Sequence, residues 1–206
     1  MRIVCISDTH GRLDDVEVPD GDVLVHAGDF TRRGDRAEVE AFAAALARLP
    51  HPAKVIVAGN HDFLFERAPG EAVGLLGDVR FLSDSETTVG GLRFWGSPWQ
   101  PEFFDWAFNL PRGAPLAEKW ALIPDDVDVL VTHGPPHGVL DRTVHGADVG
   151  CEELARAVER VRPRLHVFGH IHEAYGALDR GGTRFVNAST CDVRYRPVNA
   201  PIVVEL

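Results

Sequence analysis

The sequence has little cysteine and no long apolar run. Its three cysteines, Cys5, Cys151 and Cys191, lie far apart and never form a Cys-x-x-Cys pair. We therefore expect buried, inert thiols and neither a disulfide framework nor a cysteine zinc site. No stretch approaches the ~18 apolar residues of a membrane-spanning helix, so no membrane partner is expected. The first seven residues are too short and too polar for a signal peptide, which predicts a cytoplasmic location.

Basic residues are outnumbered by acidic ones, 21 Lys and Arg against 31 Asp and Glu. The formal net charge is −10, and lysine occurs only at Lys54 and Lys119. Polymeric nucleic acid is bound through clustered basic residues, so we expect no such partner. The 206 residues are 45% hydrophobic and 25% charged, as in ordinary globular proteins. No linker or low-complexity tract divides them, and we predict a single domain spanning residues 1–206.

Short runs of β-branched residues predict strands throughout the chain. In the first half they cover residues 2–7, 23–25 and 54–58, with a helix between the last two. Asp35 and Glu38 have the spacing of a helix-starting capping box, and apolar residues then recur with helical period. In the second half, strands 127–131 and 165–168 flank a helix at about residues 151–161. The two similar strand–helix–strand units predict two sheets that meet at one site.

The remaining segments are less regular. Gly90 and Gly91 separate two strand-like runs and predict a hairpin. Residues 97–115 are rich in aromatic residues and proline, and we interpret them as a long structured loop. Closing strands are predicted at residues 175–178, 183–186 and 202–206.

Polar clusters follow five of the predicted strands. They are Asp8-Thr9-His10, Gly28-Asp29, Gly59-Asn60-His61-Asp62, His133, and Gly169-His170-Ile171-His172. In α/β sheets, ligands bind at the carboxyl ends of strands. Each cluster alone is common, but the set combines carboxylates, an amide and several imidazoles. That combination suits Mn, Fe, Co or Zn ions and does not suit calcium, which prefers an all-oxygen shell.

The set of clusters resembles the calcineurin-like metallophosphoesterases, whose blocks run D-x-H, G-D, G-N-H-D/E, H and G-H-x-H. Residues 109–113, 133–136 and 187–191 are further similar to the small metallophosphoesterase-domain-containing branch, so the likeness covers nearly the whole chain. The resemblance implies an α/β fold, an αββα sandwich of two mixed β-sheets flanked by helices. It also implies a dimetal site at the C-terminal ends of the strands.

The resemblance also implies the metal ligands. One ion would be held by Asp8, His10, Asp29 and His172. The other would be held by Asp29, Asn60, His133 and His170, with Asp29 bridging. We expect two divalent ions of the Mn, Fe, Co or Zn class, with manganese the ion most able to support activity. Such ions polarise phosphate oxygens and acidify a bridging water, and the resulting hydroxide would attack phosphorus in line.

Four residues are candidates for substrate contact or catalysis. His61 would stabilise the transition state or protonate the leaving oxygen, and Asp62 would orient His61. Trp99, in the aromatic run, would either wall a substrate ring or pack over the sheets. Arg33 matches a phosphate-binding arginine of the protein-phosphatase branch, although Arg32 replaces the aspartate that precedes it there. A solvated basic turn is the alternative for Arg33.

The sequence therefore predicts a metal-dependent phosphoric ester hydrolase. A site with few cations favours phosphodiesters, which carry one negative charge, over nearly dianionic monoesters. The expected partner is a small phosphoester, with nucleotides and cyclic nucleotides as candidate sources. The alternatives are a phosphomonoesterase on the same dimetal site and a nucleotide-binding protein of low turnover. Because all seven ligand positions are filled, an enzyme is favoured over the binding protein.

Overall fold

The apolar runs of the sequence form β-strands in the computed structural model, which describes all 206 residues. In chain order the strands are β1 (Arg2–Ile6), β2 (Val23–His26), β3 (Ala53–Ile56), β4 (Arg80–Phe81), β5 (Ser85–Val89), β6 (Leu92–Ser97), β7 (Gln100–Pro101), β8 (Asn109–Leu110), β9 (Val129–Thr132), β10 (Leu165–Phe168), β11 (Gly176–Arg180), β12 (Thr183–Asn187) and β13 (Ile202–Glu205). The helices are α1 (Arg36–Ala47), α2 (Phe63–Arg67), α3 (Pro69–Leu75), α4 (Ala114–Trp120) and α5 (Glu152–Val161). Short 3-10 turns occur at Leu13–Asp15 and His172–Ala174.

The strands build two mixed sheets. The first has the order β13-β1-β2-β3-β4, with only β13 antiparallel to its neighbour. The second has the order β11-β12-β10-β9-β6-β5, in which the two edge strands are antiparallel to theirs. The parallel centres arise because helices α1 and α5 each connect two parallel strands. The two predicted strand–helix–strand units therefore lie in different sheets.

Three apolar layers hold the molecule together. Side chains from both sheets, such as Val25 and Val167, form the core between them. On the outer face of the first sheet, Leu24 belongs to a second cluster with residues of α1, α2 and α3. On the outer face of the second sheet, Leu130 packs with α4 and α5. Strands buried on both faces explain the nearly continuous apolar runs, and the αββα sandwich is confirmed.

The capping signal in the sequence correctly predicts where helix α1 begins. Asp35 accepts a hydrogen bond from the Glu38 N–H at 2.9 Å, as the capping prediction requires. The Glu38 carboxylate does not bond back to Asp35. It accepts instead from the backbone N–H groups of Arg32, Arg33 and Gly34 at 3.2, 2.7 and 2.9 Å. Glu38 therefore fixes the chain that leaves the Gly28-Asp29 cluster.

The prediction of one long loop at residues 97–115 is corrected. Strands β7 and β8 pair within this segment, and α4 begins at Ala114. Helices α2 and α3 were not predicted either, because helices of five and seven residues are too short for a clear periodic pattern. No helix of the chain combines the length and apolar character that crossing a membrane requires.

Candidate metal centre

The five polar clusters meet where strand ends of the two sheets face each other. Asp8 follows β1 of the first sheet, and His170 follows β10 of the second. The Asp8 carboxylate accepts the His170 backbone N–H at 3.0 Å, which ties one sheet to the other. It also accepts the Ser189 hydroxyl at 2.9 Å. A bridge between Ser7 and Ser189 lies beside these bonds. The strand ends of the two sheets therefore form one continuous site, as the sequence predicted.

Left-handed backbone turns the chain sharply at this edge. The φ angle is 54° at Asp8, 56° at Asp29 and 69° at His170. Non-glycine residues rarely adopt this conformation, and it persists only where surrounding structure fixes it. Gly169 is needed for a different reason, since a Cβ there would lie 2.0 Å from Asp8 Oδ2. Strain and close approach are both concentrated at the site.

Asp8, His10 and His172 form the first group of possible ligands. His172 Nε2 lies 3.3 Å from Asp8 Oδ1 and 3.2 Å from His10 Nε2. His10 Nε2 lies 3.9 Å from both Asp8 Oδ1 and Asp29 Oδ2. Two ring nitrogens and two carboxylates therefore converge on one small volume. The sequence-predicted residues for the first ion are brought together.

Asp29, Asn60 and His133 form the second group. His133 Nε2 lies 2.8 Å from Asn60 Oδ1 and 3.5 Å from Asp29 Oδ2. Both neighbours are hydrogen-bond acceptors, so Nε2 must carry a proton or face a cation. Asp29 lies between the two groups, close to His10 on one side and His133 on the other. This central position agrees with the bridging role implied by the resemblance.

The orientation of the imidazoles fits metal binding. In each ring Nδ1 lies against a backbone carbonyl: Thr31 O for His10 at 3.3 Å, Ala27 O for His133 at 2.9 Å and Asp192 O for His172 at 2.9 Å. A carbonyl can only accept, so Nδ1 carries a proton, and Nε2 is the atom whose lone pair a metal would take after displacing any proton bound there. Metal-binding histidines are oriented in the same way. The donor set therefore fits divalent cations.

His170 occupies the edge of this arrangement. Its ring centroid lies 5.0 Å from that of His133. None of its ring nitrogens belongs to the groups of possible ligand atoms that lie within 4.8 Å of one another. Its assignment as a ligand of the second ion stays a prediction.

His61 is held in place by a different residue from the one predicted. Its Nδ1 donates to the Arg32 carbonyl at 2.7 Å, and its Nε2 lies 3.9 Å from Asp29 Oδ2. The expectation that Asp62 orients the His61 ring is wrong. The Asp62 carboxylate instead accepts from the N–H groups of Asp29, Thr31 and Gly59 at 2.9, 2.9 and 2.7 Å. Asp62 thus shapes the turn that carries Asp29.

The charges of the buried groups depend on one another. Burial lowers the pKa of His133, but the nearby Asp29 carboxylate outweighs it and raises the pKa to about 9. Burial likewise opposes the charged form of His172, yet its hydrogen bond with Asp8 raises the pKa to about 9. Burial dominates at His10 and lowers its pKa to about 4. At Asp62, burial and then Asp29 raise the pKa to about 7.

A cavity of about 220 Å³ opens over these groups, and we call it the central cavity. It is lined by Asp29, Asn60, His61, Phe103, Trp106, His170, His172, Glu173, Val193 and Tyr195. The Trp106 ring lies 4.2 Å from that of His61, and the Tyr195 ring lies 4.6 Å from that of His10. The sequence singled out neither residue. Trp106 lies in the aromatic run, but only tertiary contacts bring Tyr195 here.

Trp99 does not line the central cavity. Its indole N–H donates to Asp84 at 3.0 Å, and the Lys119 ammonium lies 4.6 Å from its ring centroid. It packs between two apolar clusters, so the packing alternative replaces its assignment as a substrate wall. Arg33 lines a neighbouring cleft with Arg32, His61 and Tyr195. In this cleft the Arg32 guanidinium lies 5.7 Å from the Tyr195 ring centroid.

Comparison with known proteins decides the family. Residues 1–174 match the family model of the calcineurin-like phosphoesterases. The chain belongs to this family. Metallophosphoesterase domain-containing protein 1 of Homo sapiens is 49% identical over 230 residues, which cover 100% of this chain and 71% of that protein. A UPF0046 protein of Caenorhabditis elegans is 40% identical, over 98% of this chain and 74% of its own length.

Solved structures agree on the fold. TT1561 of Thermus thermophilus superposes with a TM-score of 0.62 at 18% identity, over 90% of this chain and 88% of its own. The small metallophosphoesterase-domain-containing branch is supported by the human relative. Family and geometry together make the chain a metal-dependent phosphoric ester hydrolase with a divalent dimetal site.

Proposed function

We propose that this phosphoesterase hydrolyses small phosphodiesters, with nucleotides and cyclic nucleotides as candidate sources of the ester. The observation that carries the proposal is the charge of the central cavity. Its lining contains no lysine or arginine, and its charged residues outside the histidines are Asp29 and Glu173. A nearly dianionic monoester would find no fixed cation there beyond the bound metals. A diester with one negative charge suits this lining better.

The donor set fits two divalent ions, for which we propose manganese as the most effective. Asp8, His10 and His172 would hold one ion, Asn60, His133 and His170 the other, and Asp29 both. When bound, the ions supply Lewis acidity toward phosphate oxygens and an activated water. The mixture of carboxylate, amide and imidazole suits the Mn, Fe, Co and Zn class.

His61 is proposed to handle the proton of the leaving group. Its Nδ1–H is fixed on the Arg32 carbonyl, which leaves Nε2 to face Asp29 and the central cavity. A protonated Nε2 could therefore donate to a departing ester oxygen. The Trp106 ring packs against the His61 ring and limits its rotation.

The alternative is a phosphomonoesterase, and one observation favours it. Arg32 and Arg33 line the cleft beside His61, and both side chains are exposed. An arginine reaching from this cleft would supply the cation that the central cavity lacks. Arg33 is the predicted phosphate clamp, whereas the Arg32 guanidinium already lies 5.7 Å from the Tyr195 ring centroid.

Turnover of matched esters tests the preference. We expect kcat/KM for an aryl methyl phosphodiester, with added Mn²⁺, to exceed that for the aryl monoester by at least about tenfold, or ~1.4 kcal/mol. Asp29→Ala is the control for activity that depends on the site. A monoester preference that collapses in Arg33→Ala would reverse the proposal in favour of the phosphatase.

Three sequence predictions remain part of the proposal. They are a single domain over residues 1–206, a cytoplasmic location, and a small phosphoester as partner in place of nucleic acid or membrane. The net charge of −10 supports the last of these.

A further inference from the structure

A second cavity adjoins the central one, and we call it the side cavity. Its volume is about 300 Å³, and it is lined by Pro101, Glu102, Phe103, Arg112, Gly134, Pro135, Thr143, Val149, Gly150, His170 and Ile171. Phe103 and His170 line both cavities. A group attached to a phosphorus atom in the central cavity can therefore extend past these two side chains into the side cavity.

Phe103 lies between the two cavities, and hydrogen bonds hold its backbone segment in position. Phe103 is 54% exposed. The strand pair beneath it holds its backbone, since the Glu102 N–H donates to the Leu110 carbonyl at 2.9 Å. The Asn109 side chain donates to the Phe104 carbonyl at 2.6 Å and accepts the Phe103 N–H at 3.4 Å. The aromatic ring is thus presented by a segment that is itself hydrogen-bonded on both sides.

The charge of the side cavity selects against anions. Glu102 is exposed, and its carboxylate has no hydrogen-bond partner or ion pair within the chain. Arg112 is the only basic side chain in the lining besides His170. Its guanidinium is already bound to the Val149 carbonyl at 2.7 Å, to the Gly150 carbonyl at 2.8 Å and to Glu152. A negatively charged substituent would meet a free carboxylate and an arginine that is already paired.

We propose that the side cavity binds an uncharged ring carried on the phosphoryl group of the substrate, with the ring packed on Phe103. An aryl group and a nucleobase both have this chemistry. Apolar faces from Pro135, Val149 and Ile171 complete the pocket. The volume is at the lower end of the range for small-molecule sites, which suits one ring system. The proposal deepens the proposed function and rests on phosphoester binding at the central cavity.

Binding of two phosphinates tests the proposal without turnover. Benzyl(methyl)phosphinate and ethyl(methyl)phosphinate have CH2 in place of the ester oxygen, so they offer no bond to hydrolyse. They carry the same single charge and differ in a phenyl against a methyl group, and we call them the phenyl ligand and the methyl ligand. With Mn²⁺-loaded protein, calorimetry should show the phenyl ligand bound at least about fivefold more tightly, which corresponds to ~1 kcal/mol, the low end for ring stacking. Phe103→Ala should remove this preference, so that the phenyl and methyl ligands bind with equal affinity. Phe103→Leu should keep part of it.

Phe104→Ala is the matched control. Phe104 is 74% exposed and adjacent in sequence, but it lines neither cavity, so the variant should keep the ring preference. A second arm uses the 4-carboxybenzyl analogue of the phenyl ligand. Wild-type protein should bind this analogue less tightly than the phenyl ligand, and Glu102→Gln should bind it more tightly than wild type does. Equal affinity for phenyl and methyl ligands in wild type, or a ring preference that survives in Phe103→Ala, would overturn the proposal.

The outcomes separate this inference from the proposed function. If wild type prefers the phenyl ligand through Phe103 but hydrolyses no phosphodiester, the proposed function fails and the side cavity stands. If wild type hydrolyses diesters but its binding of the ring does not depend on Phe103, the side cavity proposal fails and the proposed function stands.

Discussion

Replacing His61 with alanine tests the catalytic part of the account. His61 contributes two contacts of different kinds. Its backbone N–H donates to Asp29 Oδ1 at 2.7 Å, and this bond survives the substitution. The one hydrogen bond of its ring is to the Arg32 carbonyl, and the ring also packs against His10 and Trp106, so we expect that it can be removed without moving the Asp29 turn. We therefore expect a change in chemistry with little change in structure.

The expected loss in kcat is roughly 10²–10⁴, the range for a positioned acid or base. If Nε2 donates a proton to the leaving oxygen, the loss depends on that oxygen. A 4-nitrophenolate departs with little help, so its diester should lie near the lower limit. An alkyl alkoxide needs the proton, and its diester should lie near the upper limit. Steady-state rates on the two diesters measure this difference.

Metal content decides between this role and a competing one. His61 Nε2 lies 3.9 Å from Asp29 Oδ2 and groups with His10 and Asp29, so geometry alone would permit it as a ligand. Elemental analysis of His61→Ala should show wild-type metal content. A variant that arrives with depleted metal would refute the proton-transfer reasoning and make His61 a ligand. His145→Ala, at an exposed position, is the control for a neutral histidine change.

Two further perturbations act on the metal centre. Gly169→Ala places a Cβ 2.0 Å from Asp8 Oδ2, so it should weaken metal binding and lower stability by about 1–3 kcal/mol. Metal titration and thermal unfolding can check this against Gly70→Ala, whose Cβ meets nothing within 4 Å. Metal affinity should also rise with pH from about 7 to 9, because the raised pKa values of His133 and His172, each about 9, leave protons that a metal must displace. Affinity that is flat or falls over this interval would contradict the assignment.

Local patterns predicted the fold and the position of the site. Apolar runs such as β9, buried on both faces, are visible in the sequence because every residue of the run is apolar or small enough to pack. The polar residues directly after such runs, Asp8 and His133 among them, stand out by contrast. Parallel strands end at one edge of a sheet. The clustering of these polar residues could therefore be predicted without any knowledge of the loops.

The contacts made by loop residues could not be predicted from the sequence. Asp62 is adjacent to His61, which suggested that they interact, but its carboxylate turns toward the Asp29 segment about thirty residues away in the chain. Trp99 and Phe103 belong to the same aromatic run, and only the pairing of β7 with β8 decides which of them packs against the core and which lines the cavities. Tyr195 reaches the site on a closing loop with no periodic pattern of its own. Such choices depend on tertiary packing.

The number of divalent ions bound per chain tests the central claim most directly. Elemental analysis after full reconstitution, combined with competitive metal titration, should give two ions for wild type. Asp29→Ala should weaken both, because the Asp29 carboxylate lies between the two ligand groups. One ion per chain at saturation, or an Asp29→Ala protein that still binds two ions with wild-type affinity, would contradict a dimetal centre bridged by Asp29.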